Sequence, residues 1–377
     1  MMAVSVSVNA GTDPMEIVYG PWIQNVTENS VTILWTTEEK TLSWVEMSRD
    51  EGTTWYQQDN HTRYFEVISG RKYYGTFHRV TINGLDKATT YQYRIVGKPV
   101  TDDSNPYAIA YGAERAGTGV HKVKTLDYNA QTCCFPMVND MHFDDEKYSK
   151  LMDGMDKKKA DFIVLNGDII SFSNAQDTLI RHTFGPISEI AADFPVIYAR
   201  GNHEGRGAEW YLAREAFPSN TGEFYFSFRQ GPVAFLVLDA GEDKPDSDPE
   251  YSDQAAFDQY RAEELEWLKK VVETPEFKNA PQKVVIMHIP AFDGPSAWYS
   301  QHWIAKNFTP VLNKAGVKLM LSGHHHQYIV AKPGEFGNDF TIVANGCNER
   351  LDFEATASSI SIRTVDVNGR VINSMNL

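Results

Sequence analysis

The chain has 377 residues, 42% of them hydrophobic and 23% charged, and its 50 Asp and Glu against 35 Lys and Arg give a formal charge of −15. That composition excludes a disordered tail and leaves room for two or three cores. The acidic balance also argues against a surface that tracks long nucleic acids, so any anionic ligand must be drawn by a local cation.

In chain order, residues 1–9 lack the basic and apolar regions of an intact signal peptide. The first hundred residues then predict strands. Residues 31–37 are β-branched and aromatic, with Val31, Ile33 and Trp35 on one face and Leu34 breaking the alternation. Residues 44–47, 78–82 and 91–96 continue the pattern, separated by turn clusters such as 48–52 and Asn83-Gly84. This spacing predicts an all-β sandwich over residues 1–126. The run from Gly84 to Tyr93 resembles the tyrosine corner of fibronectin type III-like sandwiches, with Lys87 and Ala88 where those often carry Pro and Gly. Residues 101–119, rich in Gly, Asp, Asn and Ala, are expected to carry the crossing to the next unit. Residues 127–377 alternate short apolar strands with helices, at 132–138, 147–159, 162–165, 177–192 and 195–199, and so predict an α/β layered domain. Ser252 or Asp253 is the expected N-cap of a long helix carrying Phe257, Tyr260, Leu265, Leu268 and Val271. Cys133, Cys134 and Cys347 have no C-x-x-C spacing and read as small core residues. No stretch approaches the roughly 20 apolar residues that span a bilayer.

Five short clusters, each directly after an apolar strand-like run, hold six of the eleven histidines. They are Asp140-Met141-His142, Gly167-Asp168, Gly201-Asn202-His203-Glu204, His288, and Gly323-His324-His325-His326. In open α/β sheets ligands gather beyond the carboxyl ends of the strands, so clusters far apart in sequence can converge. Asp, His and Asn form an N/O donor set that suits Mn, Fe, Zn, Ni or Co. Seven candidate ligands exceed what one tetrahedral zinc accepts and suit two metals that share a carboxylate. Taken singly, each cluster also fits a turn, a satisfied core histidine or a solvated loop. All five in one order, each after a strand, are better explained by a metal site.

The order Asp-x-His, Gly-Asp, Gly-Asn-His-Glu, His, Gly-His-x-His resembles the calcineurin-like metallophosphoesterases, and the sandwich before it resembles the N-terminal domain of purple acid phosphatases. The resemblance implies a four-layer α/β/β/α fold for residues 127–377 and a binuclear metal centre. Asp140, His142, Asp168 and His326 would hold the first ion, and Asp168, Asn202, His288 and His324 the second, with Asp168 bridging. His203 would stand beside the site, and His325 has no counterpart. Purple acid phosphatases continue Gly-Asp as Gly-Asp-x-x-Tyr, whose tyrosine binds ferric iron, and open with Asp-x-Gly. Here Ser171 and His142 occupy those positions, which implies two divalent ions and a protein that is not purple. Two such ions against Asp140 and Asp168 leave roughly +2 in the site, the local attraction that an acidic chain needs.

The implied reaction is hydrolysis of small phosphomonoesters by in-line attack of a metal-bridging hydroxide, with Asp168 and His203 as catalytic residues. His203 would protonate the leaving oxygen or hydrogen-bond the phosphoryl group, and Glu204 would orient it. A phosphodiesterase or nucleotide pyrophosphatase on the same centre is an alternative, and an inactive binding module is another. Candidate substrate contacts are Asn202, Arg206, Trp298 and Tyr299, although the aromatic stretch 292–303 could equally anchor a loop to the core. His61, His78, His121, His182 and His302 read as structural. The resemblance further implies an exported protein.

Overall fold

The computed structural model describes residues 14–50, 55–57 and 61–377. The signal-peptide reading at residues 1–9 and the Glu51-Gly52 part of the first turn cluster lie outside those residues. The all-β unit is organised by one 20-residue strand, Ser30–Arg49. Its first half lies between the strands Ile17–Gln24 and Gly75–Asn83, and its second half between Thr62–Phe65 and Thr90–Asp102. The register breaks between Thr36 and Thr41, where the strand exchanges one set of partners for the other. Val31, Ile33 and Trp35 from the first half share one buried core with Val45, Met47, Tyr93 and Ile95 from the second, as two sheet layers packed face to face do. At the corner before Thr90–Asp102, the Tyr91 hydroxyl accepts from the Asp86 N–H at 2.9 Å.

Leu34 breaks the alternation because both faces of this strand segment are covered. It is buried with Trp22 in a cluster that also holds Tyr148, Leu179 and Phe184 of the following unit. Trp22 stacks on Phe184 with ring centroids 4.6 Å apart and donates from Nε1 to the Ala216 carbonyl at 3.1 Å. Residues 101–119 are not the crossing that their composition suggested. Ala110–Tyr111 and Arg115–Ala116 pair back onto Thr90–Asp102, as His121–Lys124 does. Strands of two exposed residues carry no apolar period, so the backbone pairing left no trace in the sequence.

The second unit contains two six-stranded sheets. The first runs in the order Val196–Ala199, Ile163–Asn166, Thr132–Val138, Glu349–Thr356, Ile360–Asp366, Val371–Asn376. The second runs Phe226–Gln230, Val233–Leu238, Gln282–Met287, Leu319–Ser322, Thr341–Ala344, Ile329–Ala331. Phe135, Met137 and Val164 from one sheet meet Phe235, Ile286 and Leu321 from the other in a central core. Val285, Met287 and Met320 turn the opposite way, into an outer core with residues of the helices Phe257–Val271 and Tyr299–Ala315. The helices Asp145–Asp153 and Gln176–Phe184 cover the outer face of the first sheet. The result is the α/β/β/α layering, and its doubly covered strands explain the unbroken apolar runs. Cys133 and Cys134 are buried free thiols.

Helix limits differ from the sequence expectation for local reasons. The helix expected over 147–159 is Asp145–Asp153, where the Asp144 side chain accepts from the Lys147 N–H and Gly154 ends the helix. The one expected over 177–192 breaks at Gly185-Pro186, because proline has no N–H to continue the ladder, and resumes as Ser188–Ala191. Ser252 and Asp253 do not cap the long helix; both have left-handed backbones, at φ 51° and 60°. Asp246 does so instead, its carboxylate accepting from the N–H groups of Phe257 and Asp258 at 3.0 Å each. No helix among the described residues is long and apolar enough to cross a membrane.

Candidate metal centre

All five clusters follow the carboxyl ends of strands and meet at one edge of the two sheets. Asp140 and His142 follow Thr132–Val138, Asp168 follows Ile163–Asn166, and Asn202 follows Val196–Ala199. His288 follows Gln282–Met287, and His324 and His326 follow Leu319–Ser322. The turns that aim these side chains are tight. Asp140, His142, Asp168, His324 and His326 have φ between 48° and 70°, a region that costs a non-glycine residue roughly 1–2 kcal/mol. Cross-loop hydrogen bonds hold them there, from the Asp140 N–H to Gly167 O at 3.0 Å and from the His142 N–H to Asp168 O at 3.1 Å. A Cβ built on Gly201 would lie 2.2 Å from Asp168 Oδ1, so only glycine admits that carboxylate.

The donor atoms converge. Asp140 Oδ1 and His142 Nε2 each lie 3.2 Å from His326 Nε2. Asp168 Oδ2 is 3.8 Å from His142 Nε2 and 3.1 Å from His288 Nε2. Asp168, His288 and His324 form a second group of donor atoms within 4.8 Å of one another. Asn202 is buried and follows Gly201, whose backbone lies against Asp168. Asp140 Oδ1, Asn202 Oδ1 and His288 Nε2 are buried without a well-formed hydrogen bond, and the groups nearest Asp140 Oδ1 and His288 Nε2 are other candidate ligands, an expensive arrangement unless a cation lies between them. The outward atoms of Asp140, His142 and His288 are satisfied. His288 Nδ1 donates to Asn166 O at 2.7 Å, which leaves the Nε2 lone pair for the site. His142 Nδ1 meets Ser171 Oγ at 3.2 Å, so the serine that stands where purple acid phosphatases place tyrosine holds the histidine instead. Asp140 Oδ2 accepts from Asn139 Nδ2 and from the His324 N–H. An N/O set with orphaned inward atoms and satisfied outward ones fits divalent transition metals.

The carboxylates draw a proton onto His288 that a metal ion would displace on binding. Burial alone would lower the His288 pKa, but Asp168 and Asp140 overcome it and raise the group to about 10. Burial would raise Asp168, and His288 reverses this to hold it well below the usual carboxylate range. His324 is pushed down to about 4 by burial and by the neighbouring His288. Glu204 is buried under the loops, where its oxygens accept from the N–H groups of Asp168, Gly201 and Ile169 at 2.8–2.9 Å. Burial and the Asp168 charge push its pKa up to about 7.

His203 stands beside the centre. Its N–H donates to Asp168 Oδ1 at 2.9 Å, and its Nδ1 donates to Ser171 O at 3.0 Å. Its Nε2 therefore accepts from Arg206 Nη1 at 3.3 Å. Arg206, a candidate substrate contact, is already engaged, because Nε and Nη2 both bond Glu242 at 2.8 Å. Trp298 is exposed at the rim, its ring 6.5 Å from that of His324. Tyr299 turns away, its hydroxyl donating to Asp258 at 2.8 Å. The aromatic stretch is thus divided, since Phe292 is buried in the outer core and Trp303 packs against it. His325 accepts from Gln301 Nε2 at 2.9 Å. The other histidines have structural partners: His61 stacks on Trp55, His78 bonds Thr41, and His121, His182 and His302 pair with Asp193, Asp145 and Asp293. Sequence reasoning passed over Asn139 and Asn345, which join the first and last loops through a 2.8 Å hydrogen bond. Both directly follow apolar strands, the same signal that marked the ligands.

A family model described as calcineurin-like phosphoesterase matches residues 137–328, and one for the purple acid phosphatase N-terminal domain matches residues 21–110. The chain is 26% identical over 182 residues to the serine/threonine-protein phosphatase CPPED1 of Mus musculus, covering 45% of this chain and 54% of that protein. It is 24% identical over 292 residues to purple acid phosphatase 15 of Arabidopsis thaliana, covering 67% of this chain and 49% of that protein. It thus spans about half the length of these two relatives. Purple acid phosphatase PPD1 of yellow lupin shares the fold, with a TM-score of 0.68 at 14% identity over 96% of this chain and 74% of that one.

Proposed function

The chain belongs to the calcineurin-like phosphoesterase family, and from that premise we propose that it hydrolyses phosphomonoesters at two divalent metal ions. Asp140, His142, Asp168 and His326 would hold one ion, and Asp168, Asn202, His288 and His324 the other. The observation that carries this reading is the inward set of buried donor atoms that no well-formed hydrogen bond satisfies, Asp140 Oδ1, Asn202 Oδ1 and His288 Nε2. When bound, such ions supply an activated water and positive charge for the phosphoryl oxygens. The protein's own groups do the rest. The His203 N–H fixes the Asp168 carboxylate, and the Asn202 amide has an N–H to offer a phosphoryl oxygen. His203 Nδ1 is committed to Ser171 O, so Nε2, once it exchanges the Arg206 hydrogen bond for a proton, is the atom from which that proton would pass to the leaving oxygen. The Arg206 guanidinium stands beside that atom with its charge offset by Glu242. Export from the cell belongs to the same proposal, and fractionation of the producing cells tests it.

The test is His203→Ala in metal-defined protein. Turnover of p-nitrophenyl phosphate should fall about 10²–10⁴-fold, the usual worth of a positioned proton donor, while metal content stays unchanged. Unchanged turnover would remove His203 from the reaction. Faster hydrolysis of the bis-ester than of the monoester would favour a phosphodiesterase.

A further inference from the structure

A cavity of about 900 Å³ is lined by none of the seven candidate metal ligands. It is nonetheless adjacent to the proposed chemistry. Gly205 and Arg206, which follow His203 and Glu204 in the same turn, line it, and Arg206 Nη1 lies 3.3 Å from His203 Nε2. One guanidinium therefore separates the cavity from the atom placed to protonate a leaving oxygen.

The walls are aromatic. Phe224, Tyr251, Phe257 and Tyr260 line the cavity, and Trp210 and Tyr211 line it from the short turn Trp210–Leu212. Trp210 and Tyr211 are 44% and 53% exposed, so core packing does not account for two large adjacent rings there. The charges on the lining cancel, three arginines against three glutamates. Each arginine is already bonded to a carboxylate: Arg200 to Asp239 at 2.7 Å, Arg206 to Glu242 at 2.8 Å and Arg214 to Glu223 at 2.7 Å. A second phosphate would meet no net positive charge, whereas a flat apolar group would meet rings on several sides.

We propose that this cavity receives the alcohol part of the phosphomonoester and selects an uncharged, ring-bearing alcohol over a small polyol or a second phosphate. The inference rests on the phosphoesterase reading above and names its substrate class. A volume of this order is that of ordinary ligand pockets and exceeds a single ring, so a fused-ring or ring-bearing peptide alcohol fits the class.

The experiment measures kcat/KM of the metal-loaded full chain for 1-naphthyl phosphate and for glycerol phosphate. It compares the wild type, the double variant Trp210→Ala with Tyr211→Ala, and Ala208→Trp, which puts a ring into the cavity from an exposed lining position. The naphthyl-to-glycerol ratio should fall about tenfold in both variants, chiefly through KM. A ratio that stays within about twofold of wild type in both variants overturns the proposal and leaves the phosphoesterase reading intact. A wild-type preference for inorganic pyrophosphate over naphthyl phosphate also overturns it. Hydrolysis of neither ester by the metal-loaded wild type overturns the phosphoesterase reading, and this proposal with it.

Discussion

Gly201→Ala is the smallest change that reaches the centre of the site. Its added Cβ would lie 2.2 Å from Asp168 Oδ1, 2.3 Å from the Asp168 backbone nitrogen and 2.7 Å from Glu204 Oε2. Ordinary carbon contacts begin near 3.5 Å, so relief requires a shift of about 1 Å. Rotating a side chain out of the way would not suffice, because one of the three atoms is backbone and Glu204 is itself pinned by three N–H donors. Overpacking of this kind costs about 1–3 kcal/mol in stability. The larger effect falls on Asp168, whose carboxylate belongs to the donor groups on both sides of the centre. A displacement of about 1 Å at a reacting centre costs on the order of 10²-fold in rate. Elemental analysis, thermal melts and kcat/KM on p-nitrophenyl phosphate would be compared with Gly185→Ala, where nothing lies within 4 Å of the new Cβ. The expected result is lower metal content and about 10²-fold lower activity for Gly201→Ala, with Gly185→Ala close to wild type. Wild-type metal content together with wild-type activity in Gly201→Ala would refute the reasoning, since the loops would then have room that the close approach of Gly201 and Asp168 denies them.

Two further outcomes are expected. Ser171→Ala removes the group that meets His142 Nδ1 at 3.2 Å; metal affinity should fall about 10–100-fold, read by competition with a chelator, with little change in melting of the metal-free protein. His78 lies in the sandwich, far along the chain from the metal site, and burial lowers its pKa from 6.5 to about 4, partly offset by a bond to the Gly75 backbone. The unfolded chain therefore takes up a proton as pH falls through about 6.5 while the folded chain refuses it until about 4, so stability is complete above that window and is lost on descending through it. The shift corresponds to about 3 kcal/mol at most. Denaturant unfolding at pH 7.5 and 4.5 should show His78→Gln losing about that much less than wild type between the two conditions; equal losses would show that His78 is protonated as freely in the folded protein as in the unfolded one.

The convergence of the candidate metal ligands was legible because each follows an apolar run, and at strand ends a local pattern reports a distant meeting. The inward face of residues 31–37 was legible for the same local reason. What the sequence concealed depends on partners far away. Leu34 looked like an irregularity because its second environment is built by Tyr148 and Phe184. Arg206 looked available because Glu242, which holds it, lies 36 positions on. The cap of the long helix was missed because Asp246 reaches it across a loop 11 residues long in sequence separation. The Gly185-Pro186 break, in contrast, was in plain view, and a helical period carried through it should have stopped there.

Trp22 and Leu34 belong to the β unit by chain position but to the phosphoesterase unit by burial. The Tyr93 hydroxyl also donates to Ala192 O at 2.5 Å, and Ile23 forms a backbone bridge with Pro195, the residue before the strand that leads to Asn202. The strand that positions one candidate ligand is thus braced from outside its own unit. For protein engineering, the front sandwich is therefore not a detachable module. A catalytic fragment that began near residue 127 would bare Phe184 and leave the Ala216 carbonyl without the Trp22 donor. Grafting a different sandwich would succeed only if it restored a ring at position 22 and an aliphatic side chain at position 34, so the two units are constrained to change together.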